Sequence, residues 1–154
     1  MSLKITSTVF EHGGEIPRRF TCDDADVSPP LQWEGVPEGT RSLALIVDDP
    51  DAPDPAAPKM TWVHWVLYNL PADTTGLAEA VDAPPPGTMV GLLDWIRTVY
   101  GGPFPPVWRQ RYVFKLYALV SVLPDLSEPT KRLLEAAMAG HVLAEAVLMG
   151  TYQH

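Results

Sequence analysis

Residues 61–69 read TWVHWVLYN, and residues 42–48 upstream read SLALIVD. The first stretch is β-branched and aromatic, a composition that suits a half-buried pleated surface. The second is a near-continuous apolar run, as expected of a strand covered on both faces. Period 2 places Trp62, His64, Val66 and Tyr68 on one face of the first strand, and Val63, Trp65 and Leu67 on the other. Further along, residues 112–119 (YVFKLYAL) make a third strong strand. Its faces are Tyr112, Phe114, Leu116 and Ala118 against Val113, Lys115, Tyr117 and Leu119. Near the start, Leu3–Ser7 alternates as an opening strand, and Gly13-Gly14 marks a turn.

The helical signal comes last. Ser127 is expected to cap and Pro129 suits a first turn. Lys131–Ala139 and His141–Met149 then carry Ala, Leu, Met and Glu, with Leu133, Leu134, Ala137, Met138, Val142, Ala144 and Ala146 as an apolar stripe. Gly140 is expected to break this segment and Gly150 to end it. Strands first and helix last predict a mainly β domain with short C-terminal helices. Residues 73–89 read as a long Pro-rich loop, a kind of segment that often serves function. No repeat or linker divides the chain, so residues 1–154 are read as a single domain.

Composition narrows the function. The net charge is −8, which argues against nucleic-acid partners and against an electrostatic membrane anchor. A bound anion must then be held locally, because the global field opposes its approach. No apolar run approaches the ~20 residues that span a bilayer. Cys22 is the only cysteine, so no intrachain disulfide forms. With no leader legible before Phe10, the expected location is the cytoplasm. Of the 17 prolines, 12 cluster at 29–30, 50–58, 84–86 and 103–106 and predict rigid irregular segments.

Three segments could carry chemistry. Asp48-Asp49-Pro50-Asp51-Ala52-Pro53 follows a buried strand. It is either a solvated acidic turn or a set of pre-organised carboxylates. His64 lies inside an aromatic strand. It is either a satisfied core imidazole or, with a carboxylate beside it, a cation able to hold an anion. Tyr100-Gly101-Gly102-Pro103-Phe104-Pro105-Pro106 leads into Arg111-Tyr112. It is either a tight empty loop or one whose backbone N–H groups approach a ligand.

Taken together, these motifs resemble the phosphatidylethanolamine-binding protein family in its bacterial Raf-kinase-inhibitor-like branch. The resemblance runs through Phe20-Thr21-Cys22-Asp23, Ser28-Pro29-Pro30-Leu31-Gln32-Trp33 and Asp49-Pro50-Asp51-Ala52-Pro53. It continues in His64-Trp65-Val66, Tyr68-Asn69-Leu70-Pro71, Tyr100-Gly101-Gly102-Pro103, Arg111-Tyr112-Val113-Phe114 and Gly140-His141-Val142-Leu143-Ala144. It implies a Greek-key β-sandwich with a rim pocket for phosphate-like anions or phospholipid headgroups. By position, the pocket is lined by Asp49, Asp51, Trp62, His64, Gly102, Pro106 and Tyr112. The implied role is binding without catalysis and without a cofactor or metal. The implied partners are a small anion or phosphorylated ligand, a kinase or protease target, and a second copy of the chain.

This sequence departs from the family pattern close to that pocket. Trp108 and Gln110 stand where the family usually has glycine and histidine, and Leu93 replaces an asparagine. Gln110 can donate a hydrogen bond but cannot become a cation. Loss of one charge-assisted bond weakens anion binding by about 1–3 kcal/mol. Two other readings compete. One is a hydrolase using His64 and Asp49, although no nucleophile stands in an elbow context. The other is an interaction protein with a vestigial pocket, closed by Trp108.

Overall fold

The computed structural model describes residues 2–20, 27–52, 60–79, 85–91, 110–127 and 129–152, with backbone alone at 50–52, 60–63 and 110. Two antiparallel sheets form. The smaller has the order β1 (Lys4–Thr6), β2 (Leu31–Glu34), β5 (Gly76–Leu77). The larger runs β6 (Met89–Val90), β4 (Met60–Pro71), β3 (Ser42–Ala52), β7 (Gln110–Leu119), β8 (Val142–Tyr152). The α-helix α1 (Lys131–Met138) lies between β7 and β8 in the chain.

The periodicity of the strands explains the layers. Leu43, Leu45 and Val47 of β3 and Tyr112, Phe114, Leu116 and Ala118 of β7 face the small sheet. There they pack with Ile5, Leu31, Trp33 and Leu77. The alternate residues Ala44, Ile46, Tyr117 and Leu119 face the other way, where Leu134 and Met138 of α1 cover them. Hence β3 is apolar on both faces, as its unbroken hydrophobic run requires. The mainly β sandwich and the two-faced reading of β7 agree with the sequence.

Residues 141–149 do not form a helix. Val142–Tyr152 is a strand that pairs with β7 from Leu119↔Val142 to Gln110↔Tyr152. Ala144, Ala146 and Leu148 belong by period 2 to the core between the sheets. Helix propensity differs between residues by well under 1 kcal/mol each, and a whole ladder of strand hydrogen bonds with core burial outweighs it. Gly140, at φ 81°, makes the reversal between α1 and β8. The helix cap also differs: Thr130, not Ser127, accepts the hydrogen bond from Leu133 N. Ser127 instead sits at φ 58°. The Pro-rich stretch 73–89 is interrupted by β5, which pairs with β2.

The outer edge of β8 is half covered by the chain's own start. Gly13 N donates to Met149 O at 2.7 Å, Ile16 N to Thr151 O at 2.8 Å and Thr151 N to Gly14 O at 2.8 Å. Near the end of β4, Asn69 clamps the segment after β7. Its Nδ2 donates to Leu123 O at 2.7 Å, and its Oδ1 accepts from Leu123 N at 2.9 Å. Asn69 adopts φ 58°, a conformation this residue type tolerates better than most.

Candidate functional site

The β3–β4 ladder is regular through Val47↔Trp65, but the next pairs are Asp48↔Val63 and Asp49↔Trp62. His64 therefore has no register partner on β3: it is the extra residue of a β-bulge. Bulges of this kind bend a strand and re-aim one side chain. Strict alternation would put His64 with Val66 and Tyr68 on the α1 side. Instead its ring meets that of Tyr112 edge-on, with centroids 5.2 Å apart and planes at 61°. Tyr112 belongs to the core between the sheets, so the face expected for His64 from simple alternation is corrected here.

Asp49 sits beside this pair. On its other flank β3 pairs with β7 as Asp48↔Val113, which sets Asp49 level with Tyr112. Adjacent strand residues point to opposite faces. Asp48 points toward α1, where Lys131 Nζ meets its carboxylate, so Asp49 points toward Tyr112 and His64. All three are nearly inaccessible: Asp49 is 2 % exposed, His64 3 % and Tyr112 1 %. The strand also runs further than the acidic turn read from sequence, since Pro50, Asp51 and Ala52 continue β3.

Three central strands thus bring Asp49, His64 and Tyr112 together at one end of the large sheet. The backbone of Trp62 lies opposite Asp49 in the ladder. Asp51 lies two residues further along β3. Gln110 begins β7, opposite Tyr152. Gly102, Pro106, Leu93 and Trp108 lie outside the described residues. Among the described residues, no group of three or more His, Cys, Asp or Glu gathers as a metal site would. Nor is any helix among them long and apolar enough to cross a membrane.

Chemically, the assembly offers an imidazole, a phenol and a carboxylate on a rigid sheet end. Imidazole and phenol both donate hydrogen bonds, and both nitrogens of a charged imidazole do so. Asp48 lies on the opposite face, and nothing in the acidic run itself sets it apart from its neighbour. The signal in the sequence is Lys115, a lone cation on an otherwise apolar strand face that calls for a counter-charge.

The chain is thus a two-sheet β protein with these groups at the end of its central strands. The model of the phosphatidylethanolamine-binding protein family matches residues 6–153, and the chain belongs to this family. It is 46% identical over 154 residues to the UPF0098 protein of Methanothermobacter thermautotrophicus, covering 98% of this chain and 99% of that one. It is also similar to the crystal structure of a phosphatidylethanolamine-binding protein homologue of Chlamydia trachomatis. That match has a TM-score of 0.92 and 39% identity, over 99% of this chain and 98% of the other. YbcL of Escherichia coli superposes with a TM-score of 0.89 at 28% identity, over 100% and 99% of the two chains.

Proposed function

We propose that this chain binds a small phosphate-like anion at the end of the large sheet, with His64, Tyr112 and Asp49 at the centre of the site. The observation that supports this best is the bulge that turns His64 out of simple alternation and onto Tyr112. A sheet has little reason to insert a residue for a histidine that merely fills core. In the proposal, His64 and the Tyr112 hydroxyl donate to the anion, and Asp49 orients the imidazole from the neighbouring strand. Asp51, Trp62, Gly102 and Pro106 complete the lining, as the family resemblance implies. The anion is held by these few groups against a net charge of −8.

The role is binding rather than turnover. Family membership supports a ligand-binding protein, and the sequence holds no Gly-x-Ser-x-Gly elbow for a nucleophile. Inhibition of a kinase or protease target, action in the cytoplasm and association with a second copy belong to the same proposal. Calorimetry and thermal shift with inorganic phosphate and phosphoethanolamine test the core of it. Both ligands are expected to raise Tm with concentration. His64→Ala is expected to remove the response. An equal response from the His64→Ala variant would rule the site out.

A further inference from the structure

The large sheet ends in a strand edge that the chain covers only in part. In an antiparallel strand, successive residues turn their backbone groups toward opposite neighbours. On β8, Met149 and Thr151 mark the side away from β7. Met149 O accepts from Gly13 N, and Met149 N donates to His12 Nδ1 at 3.1 Å. Thr151 O accepts from Ile16 N, and Thr151 N donates to Gly14 O. The ladder to β7 is regular from Ala144 to Tyr152, so Glu145 and Val147 aim their N–H and C=O groups the same way. Among the described residues, nothing meets them there.

This stretch of edge is also unguarded. Residues 142–148 read VLAEAVL, without the proline or lysine that commonly blunts an exposed strand. Val142 and Leu143 are each 43 % exposed, and Val147 is 47 % exposed. The two faces of the strand differ. On the α1 side, Glu145 lies opposite Tyr117 and Val147 opposite Lys115. The Lys115 ammonium is committed to Asp48 at 3.2 Å. Glu145 and Glu135 of α1 both act on the Tyr117 hydroxyl, and neither carboxylate has an ion-pair partner among the described residues. On the other face, Ala144, Ala146 and Leu148 reach the core between the sheets. A neighbour on this edge would therefore meet carboxylates on one side and apolar groups on the other.

We propose that residues 143–148 of β8 are a strand-addition site for an extended partner segment with lysine or arginine on one face and apolar residues on the other. The incoming strand bonds the free N–H and C=O groups of Glu145 and Val147, and its side chains supply the specificity. Its basic residues meet Glu145, and its apolar residues extend the core past Ala146 and Leu148. Charge decides the occupant. A second copy would bring its own Glu145 and a net charge of −8 to the same edge, and like charges facing one another across strands oppose pairing.

The test is an NMR titration of the full chain with the peptide acetyl-Thr-Val-Lys-Val-Lys-Val-Thr-amide. The amide signals of Glu145 and Val147 are expected to shift saturably, and their exchange with solvent to slow. The same peptide with Glu in place of Lys is expected not to bind. Glu145→Gln is expected to weaken binding by about fivefold or less, the scale of one cross-strand charge pair. Val147→Pro removes an N–H that the β7 ladder does not use, so it is expected to abolish binding in a folded chain. Val147→Lys keeps the backbone donor, guards the edge with a charge and is expected to weaken binding even where the proline variant does not fold. Saturating inorganic phosphate is expected to leave peptide binding unchanged, which separates this edge from the end of the sheet that holds His64. The proposal is overturned if Glu145 and Val147 show no saturable shift, if the acidic peptide binds equally well, or if the folded Val147 variants bind like the parent. Shifts of the same amides that grow with protein concentration, without peptide, would make a second copy the occupant and would also overturn it.

Discussion

Asp48 and Asp49 are neighbours on one strand, both almost inaccessible to water, yet their surroundings have nothing in common. Asp48 points toward α1 and meets two lysines at 2.6 and 3.2 Å. Asp49 points between the sheets and lies level with Tyr112, whose ring touches His64. One carboxylate is neutralised by fixed full charges, and the other stands beside groups able to share hydrogen bonds with a guest. Burial alone therefore says little about the role of an acidic residue. The counter-groups on its side of the sheet decide whether it anchors the fold or equips a site.

That contrast predicts opposite outcomes from neighbouring substitutions. Asp48→Leu leaves two lysines facing a buried apolar group and is expected to cost about 3–5 kcal/mol. Urea unfolding would read this as a lower midpoint. Asp49→Asn keeps the shape and is expected to lose much less stability while weakening phosphate binding. If Asp49→Asn proves the more destabilising of the two, the division between the faces is wrong.

Asn69 sharpens the comparison from the far end of β4, where the ladder again shifts between Leu43↔Leu70 and Leu45↔Leu67. Here the irregularity serves structure, since the amide makes both hydrogen bonds to Leu123. Asn69→Ala strands a buried carbonyl and N–H and is expected to cost about 2–4 kcal/mol, with phosphate affinity of the folded protein unchanged. A matching loss of affinity would mean that the two bulges are coupled.

Gln110→His tests the site side from the other direction. It restores a group able to carry charge at the head of β7, and is expected to tighten phosphate binding by about tenfold or less. Calorimetry below pH ~6.5, where an ordinary histidine is charged, is the measurement. No gain there would place the head of β7 away from the anion.

On the α1 side, the Tyr117 hydroxyl is pushed up from 10.0 to about 12, chiefly by burial, then by Glu145, Glu135 and Asp48. The folded chain holds this proton more tightly than the unfolded chain. Its contribution to stability is thus complete below pH 10 and is lost as pH rises from 10 toward 12. Tyr117→Phe should flatten that part of the stability profile in urea titrations. The smallest effect belongs to Glu79→Gln. It breaks the exposed Arg19–Glu79 pair at 3.0 Å and should change stability by less than about 1 kcal/mol.

The strands of the core were legible because each is long enough for alternation to show. Tyr112, Phe114, Leu116 and Ala118 share a face as their spacing implies. Residues 142–152 were not, because Leu143, Ala144, Glu145 and Ala146 suit a helix when considered locally. Only the waiting edge of β7 turns them into a strand. The position of His64 was legible and its direction was not. A one-residue bulge leaves no mark on a hydrophobic pattern, since it is a property of two paired strands and not of either one.

The order and type of residues in this chain thus determined a β-rich fold, its family and the candidates for its site. Tertiary structure alone decided which face His64 takes, and which groups Asp48 and Asp49 each meet. The reason is physical: alternation is local to one strand, whereas register and the groups a side chain meets are set only when strands pair and α1 packs on the sheet.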